Sequence, residues 1–401
     1  MTSILIWSSL VGEGVKMPYP RQPSKYLSSD LDTFRATVAS FVDKEIRPHA
    51  DEWEAAGEFD LDLYSKAGRA GLIGLRYDPE WGGGGGSYLA TCVLCEELVK
   101  GDTVGAAVGL MAQSEFAVSV LADEASDELK AEYLAPAIRG ELIGAIGVSE
   151  PGAGSDVGAI TTRAVRDGGD YVISGQKTYI TNGSRADFVT LVVRTGGDGP
   201  SGISVVVFPT DTPGFTMGRR LDKLGSRASD TAELFFDECH IPVGNLIGEE
   251  GMGMRYVLSH FAGERLVIGA FAVGIMERLI ELGLEYGGAR HAFGKPLTAF
   301  QTWRHRLADM ATRLEATRLL TYQAAHLLDA GDPSGEIAVS MAKVYAAEAV
   351  QFVAAEILQF HGGYGQMEES PIPRYYRDVA GFSIGAGTSE IQREIIARIL
   401  V

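Results

Sequence analysis

The 401-residue sequence predicts an α+β fold in three consecutive blocks: an N-terminal α-helical domain, a central antiparallel β domain and a C-terminal four-helix bundle. Three observations carry that expectation. Apolar residues recur at helical spacing up to about residue 144, short β-rich runs separated by turn clusters fill 145–252, and helical spacing returns from 253 to 401.

Residues 1–26, with Pro18, Pro20 and Pro23, read as a flexible leader, within which Met17 is a second candidate start. In 27–144, Leu31, Phe34, Val38, Phe41 and Ile46 share a helical face until Pro48 interrupts it. Gly82 to Gly86 read as a flexible loop, and a second helical block follows from Leu89 to about Arg139. The β block contains Tyr171-Val172-Ile173, Val189 to Val193, Ile203 to Phe208 and Leu234-Phe235-Phe236. Its turns are Asp167 to Asp170 and Gly196 to Pro200. In the last block, Trp303, Leu307, Met310 and Leu314 keep helical steps, as do Ile337, Met341 and Val344. These helices are apolar on more than one face, which predicts burial of a second face against another subunit.

The net charge of −18 argues against nucleic acid and anionic membranes as partners. No run is expected to span a bilayer. Ile4 to Val11 lacks the basic flank of a signal peptide, and no Arg-rich transit segment is evident, so a cytoplasmic location is expected. Cys92, Cys95 and Cys239 cannot form a disulfide framework and read as free thiols, with Cys92 and Cys95 packed in a helix. There is no G-x-G-x-x-G after a strand and no βαβ alternation, which excludes a nicotinamide dinucleotide fold. His361 reads as a packed bundle residue, since no second ligand stands at metal spacing.

Five motifs carry chemistry. Ser149-Glu150-Pro151-Gly152-Ala153-Gly154-Ser155-Asp156 lies where helix gives way to strand. Its glycines and hydroxyls suit a pyrophosphate or a polar ring edge, the plain alternative being an interdomain turn. In Lys177 to Gly183, Tyr179 and Thr181 are two apart on a strand and share a face, where they could stack on and hydrogen-bond a planar cofactor. Arg290 to Pro296 and Phe300-Gln301 offer a planar cation for phosphate. Gln359 to Gly365 and Ile384 to Arg393 complete the series.

In this order and at these intervals, from about residue 30 to the C-terminus, the segments resemble the acyl-CoA dehydrogenase family. So does Leu221-Asp222-Lys223-Leu224-Gly225-Ser226-Arg227-Ala228-Ser229-Asp230-Thr231. The resemblance implies FAD as cofactor, an acyl-CoA as substrate, a homotetramer, and an electron-transferring flavoprotein as electron acceptor, without membrane insertion. Ile146, Val148, Ser149 and Ser155 would line the flavin and its pyrophosphate. Tyr179, Ile180 and Thr181 would flank the isoalloxazine, with Tyr179 standing where the family usually has Trp. Arg290, Phe293, Gln301, Gln359, Gly362 and Gly363 would reach the FAD of a neighbouring subunit, and Thr388, Ser389 and Glu390 would contact their own.

The implied reaction needs a base for the α-proton, the flavin N5 as acceptor of the β-hydride, and a donor to the thioester carbonyl. Many members carry a glutamate before Gly-Thr in the last motif. Ala386, preceded by Gly385, stands there and cannot take a proton. Glu264, in Phe261-Ala262-Gly263-Glu264-Arg265-Leu266, matches the base of a minority branch, and the last motif looks most like the isovaleryl-CoA type. On its own, Glu264 would read as an Arg-paired surface carboxylate. Burial under the acyl chain and flavin should raise its pKa. Ser155, Arg265, Gly385, Ala386 and Gly387 are the substrate contacts that the resemblance implies. The small residues 385 and 386 leave room for a short or branched acyl chain, while Arg255 departs from the isovaleryl enzyme's aromatic contact. The competing expectations are other flavin chemistry on the same fold, or a catalytically inactive flavin and acyl-CoA binder.

Overall fold

The computed structural model describes Tyr19, Arg21 and residues 24–401. The N-terminal block is built on α1 (Ser29–Glu45), α2 (Asp62–Arg69), α3 (Tyr88–Leu98) and α4 (Val104–Met111), with a two-turn helix at Ala50–Ala56, 3₁₀ turns and loops between them. Ser28 caps α1 by accepting from Leu31 N–H, and Pro48 lies in the 3₁₀ turn that ends it. The second helical block is not continuous. The backbone widens into π-helical turns at Ala112–Ala117 and Lys130–Leu134. Cys92 and Cys95 are buried in α3.

The central block holds β1 (Gly144–Gly147), β2 (Arg163–Asp167), β3 (Asp170–Thr181), β4 (Phe188–Arg194), β5 (Ile203–Pro209), β6 (Phe215–Arg220), β7 (Thr231–Pro242) and β8 (Leu246–Ile247). They form one sheet in the order β6-β7-β3-β2-β4-β5-β8, with β1 added beside β4. Most pairings are antiparallel, but β1 runs parallel to β4, as does the single β2–β4 pair. Every residue of β4 is buried, as a strand covered on both faces requires.

The last block is α5 (Gly253–Ala289), α6 (Gln301–Asp329), α7 (Gly335–His361), α8 (Pro371–Asp378) and α9 (Ser389–Leu400). Helices α5, α6 and α7 share one apolar core with the N-terminal helices, including Leu98, Val273, Met276, Leu314 and Val353. His361 is buried there, bonded to Ile357 O and stacked on Tyr286.

Three expectations change. Gly82–Gly86 is not a flexible loop. Gly83, Gly84, Gly85 and Gly86 donate to the carbonyls of Asp78, Gly74, Tyr77 and Leu75. A Cβ at Gly84 would stand 2.6 Å from Leu75 O, so glycine here permits backbone contact. Two helical stretches, Val104–Glu124 and Gly335–Gln366, are long and apolar enough to cross a membrane, against the expectation of none. They are 89% and 56% buried within the protein, where an interior helix has the same apolar character as a spanning one. Finally, two residues assigned to the leader are tied down: Tyr19 N–H donates to Glu281 and Arg21 binds Glu277 and Glu97.

Candidate active site

Glu264 and Arg265 lie about a third of the way along α5. Glu264 is only 7% exposed. Among the described residues its carboxyl accepts no hydrogen bond and forms no ion pair. Burial pushes its pKa up to about 8, against the weaker opposing pull of Arg265. Arg265 is itself buried, with an unpartnered Nε, and burial lowers its pKa.

Arg265 acts electrostatically on Lys343, which binds Gly387 O, in the turn where the backbone passes through Gly385, Ala386 and Gly387 into α9. Ala386 and Gly387 are both left-handed, with φ of 53° and 83°. Thr388 caps α9 by accepting from Ile391 N–H, so its hydroxyl is already engaged. Ser389 is buried with an unpartnered Oγ, and Glu390 is exposed at the helix N-terminus. Among the described residues the half-buried Ala386 N–H donates to nothing. A Cβ at Gly385 would meet only Gly381 O, at 3.6 Å, so space remains beside the loop.

The turn at Ser149–Asp156 is anchored by two residues that sequence reasoning gave no role. Glu150 accepts from Thr161 and Thr162 N–H and pairs with Lys177 at 2.8 Å; Lys177 also donates to Val148 O. Burial alone would raise Glu150. Lys177 and the threonine donors outweigh it and bring the carboxyl down to about 2, while burial holds Lys177 down to about 8. Both remain charged at pH 7. The signal was a carboxylate inside a glycine turn and a lysine on a strand position that should be buried. Above this anchor, Cβ atoms at Gly152 and Gly154 would meet nothing within 4 Å, and Ser155 is exposed. Ile146, Val148 and Ser149 are half-buried on the same approach.

Tyr179 is presented differently from plain strand alternation. Between Lys177↔Leu234 and Ile180↔Ala232, β3 places Thr178 and Tyr179 opposite Glu233 alone, a β-bulge. Tyr179 takes φ 61° and is 72% exposed, and Thr181 beyond it is half-buried. Ile180 is corrected: its side chain lies in the sheet core, so only its backbone can face a ligand.

The remaining predicted residues lie elsewhere. From Glu264 to Ala289 the helix runs 25 residues, roughly 37 Å at 1.5 Å each. Arg290 ends α5, and Phe293, 96% exposed, stands in the following hairpin. Gln301 opens α6, while Gln359, Gly362 and Gly363 are exposed at the end of α7. A cavity of about 420 Å³ lined by Phe300, Thr302, Trp303, Arg306 and Gln359 joins these two helix ends. The predicted cofactor residues therefore fall into two regions of the chain, separated by most of the length of α5.

Residues 28–141, 145–239 and 251–401 match the family models described as acyl-CoA dehydrogenase N-terminal, middle and C-terminal domain. The chain is 37% identical to the mitochondrial long-chain specific acyl-CoA dehydrogenase of Mus musculus, covering 94% of this chain and 88% of that one. It is also 37% identical to the mitochondrial short-chain specific enzyme of Rattus norvegicus, over 90% and 88%. Among solved structures, an acyl-CoA dehydrogenase from Geobacillus kaustophilus superposes with TM-score 0.89 at 40% identity, over 94% and 100%. A glutaryl-CoA dehydrogenase from Mycobacterium smegmatis in complex with FADH2 does so with TM-score 0.88 at 30% identity, over 94% and 96%.

Proposed function

The chain belongs to the acyl-CoA dehydrogenase family and is an oxidoreductase acting on acyl-CoA; from that premise we propose that Glu264 is the base that removes the α-proton of a short or branched acyl-CoA. The observation that carries this is a buried carboxyl next to Arg265, without a hydrogen-bond partner among the described residues. A carboxyl left unpaired in a folded interior is costly, and its raised pKa matches it to a weakly acidic C–H. Ala386 N–H donates to the thioester carbonyl as negative charge grows there. Arg265 and Ser155 receive the CoA arm. The open space at Gly385 admits branching near the carbonyl.

The residues of the open turn and bulge fit FAD, and a relative of the same fold holds its reduced form. Ser149 and Ser155 would meet its pyrophosphate, with the exposed Tyr179 and Thr181 against its ring. When bound, FAD supplies the acceptor for the β-hydrogen and its electron pair. As the α-C–H bond breaks, its proton passes to Glu264 and the carbon–carbon double bond of the trans-2-enoyl-CoA forms. The distance along α5 supports a further part of the reading: Arg290, Phe293, Gln301, Gln359, Gly362 and Gly363 serve the FAD of another copy in a homotetramer. Electrons leave to an electron-transferring flavoprotein. Anaerobic bleaching of the bound flavin by acyl-CoAs graded in length and branching tests the proposal. Bleaching should be fastest with short or branched chains, and bleaching only by an external reductant would defeat it.

A further inference from the structure

Lys343 lies in the middle of α7 and is fully buried. Among the described residues, its side chain makes one hydrogen bond, from Nζ to the carbonyl of Gly387 at 2.7 Å. Burial and, less strongly, the charge of Arg265 lower its pKa to about 8, against a weaker pull from the exposed Glu390. As a stabilising element this is a poor arrangement: a cation is desolvated near a second cation in return for one bond to a neutral carbonyl. An apolar side chain of the same length would fill the space at lower cost.

The loop that Lys343 holds is the one that needs holding. Ala386 is a non-glycine residue at φ 53°, followed by Gly387 at 83°. A left-handed backbone of this kind costs on the order of 1 kcal/mol and persists only where its surroundings enforce it. Gln392 also reaches the Ala386 and Gly387 carbonyls, but at 3.4 Å each, at the limit of a hydrogen bond, and its own Oε1 has no partner. The short, charge-assisted contact is that of Lys343. The Gly387 carbonyl belongs to the peptide between Gly387 and Thr388, so holding it limits rotation about the two left-handed residues before it, Gly387 and Ala386, and restrains the turn that carries the unpartnered Ala386 N–H.

We propose that Lys343 is a positioning residue that clamps the Gly387 carbonyl and thereby aims the Ala386 N–H at the substrate carbonyl. The proposal rests on the reading of Ala386 as the carbonyl donor, and deepens it. The positive charge of Lys343, with that of Arg265, also favours the negative charge that develops on that oxygen.

The test uses the FAD-loaded enzyme with crotonyl-CoA, an enoyl thioester that needs no proton abstraction, and reads the thioester C=O stretch by infrared difference spectroscopy. In the parent enzyme the band should shift below its value in water. In Lys343→Met it should return most of the way, and the limiting rate of anaerobic flavin reduction should fall at least about tenfold, equivalent to ~1.4 kcal/mol. FAD content and Tm should hold or rise, because a buried cation has been removed. A Lys343→Met enzyme with the parent C=O shift overturns the proposal, whatever its rate. If that variant does not fold, Lys343→Gln is read in the same way, with an intermediate shift expected and an unchanged one decisive against. Glu264→Gln separates the two ideas: it should lose reduction and keep the C=O shift. If Glu264→Gln instead reduces FAD normally, the base assignment fails while the Lys343 result still stands on the band.

Discussion

Helix α5 carries two buried glutamates, 13 residues apart, with opposite fates. Glu277 is surrounded by Arg21, Lys100 and Arg318, all within 3.0 Å. Burial works against its charge, but these cations outweigh it and bring its pKa down to about 2. Glu264 has no such partner, and burial pushes it up to about 8. The same side chain, equally hidden, is a fixed anion in one place and a proton acceptor poised near neutrality in the other. What differs is the partners brought in by the N-terminal block: Arg21 and Lys100 reach Glu277, and nothing comparable reaches Glu264.

The comparison can be broken by exchanging the two roles, and the largest effect should come from Glu264→Gln. That variant should fold, retain FAD and bind acyl-CoA, yet lose about 10²–10⁴-fold in the rate of flavin reduction, the scale of general-base catalysis. Stopped-flow reduction without oxygen measures it. Glu277→Gln should do the reverse. It strands Arg21, Lys100 and Arg318 around a neutral group, and should cost about 3–5 kcal/mol of stability in urea unfolding. Its reduction rate per bound FAD should change by no more than about threefold.

The pH dependence sharpens the contrast. Glu264 has a folded pKa above its unfolded value, so the stability it contributes is complete below about pH 4 and is lost as pH rises through about 8. Removing its charge with Gln should therefore raise Tm at pH 8 and leave it nearly unchanged at pH 4. The gain should be on the order of a few kcal/mol at most. Glu277 has a folded pKa below its unfolded value. Its contribution is present above about pH 4 and is lost as pH falls toward about 2. Thermal scans of both Gln variants against the parent should show the Glu264 difference growing from pH 4 to pH 8, and the Glu277 difference constant over that range and shrinking only as pH falls toward about 2.

The smallest effects concern glycine, where contact again decides the role. Gly84 faces Leu75 O and Gly154 faces open space. Gly84→Ala should lower stability by about 1–3 kcal/mol. Gly154→Ala should leave Tm unchanged and weaken FAD retention severalfold, as judged by flavin absorbance after gel filtration.

Much of this was legible in the sequence, and the limits have physical reasons. Hydrophobic periodicity marks α1, α6 and α7, and β-rich runs mark β3, β4, β5 and β7, because each buries a regular face. Strands β1, β2, β6 and β8 escaped notice, being short, glycine-containing or charged. The π-turn at Ala112–Ala117 lies where polar residues (Gln113, Ser114 and Glu115) are buried along with apolar ones, so periodicity does not reveal it. At the site, Glu264 stood out because Ala386 had left the chemistry without a base. Lys177, Glu150 and Lys343 did not, since a charged residue in a strand or helix reads as solvent-facing until the fold shows it buried. The bulge that projects Tyr179 depends on the pairing of β3 with β7, which no local pattern encodes.

The most direct test is the protonation state of Glu264 itself, followed by infrared difference spectroscopy of the FAD-loaded enzyme during a pH titration. The carboxylic-acid band that disappears in Glu264→Gln should be present at pH 6.5 and titrate away near pH 8. A Glu264 already ionised at pH 5, with ordinary carboxylate behaviour, would contradict the distinction between the two glutamates of α5.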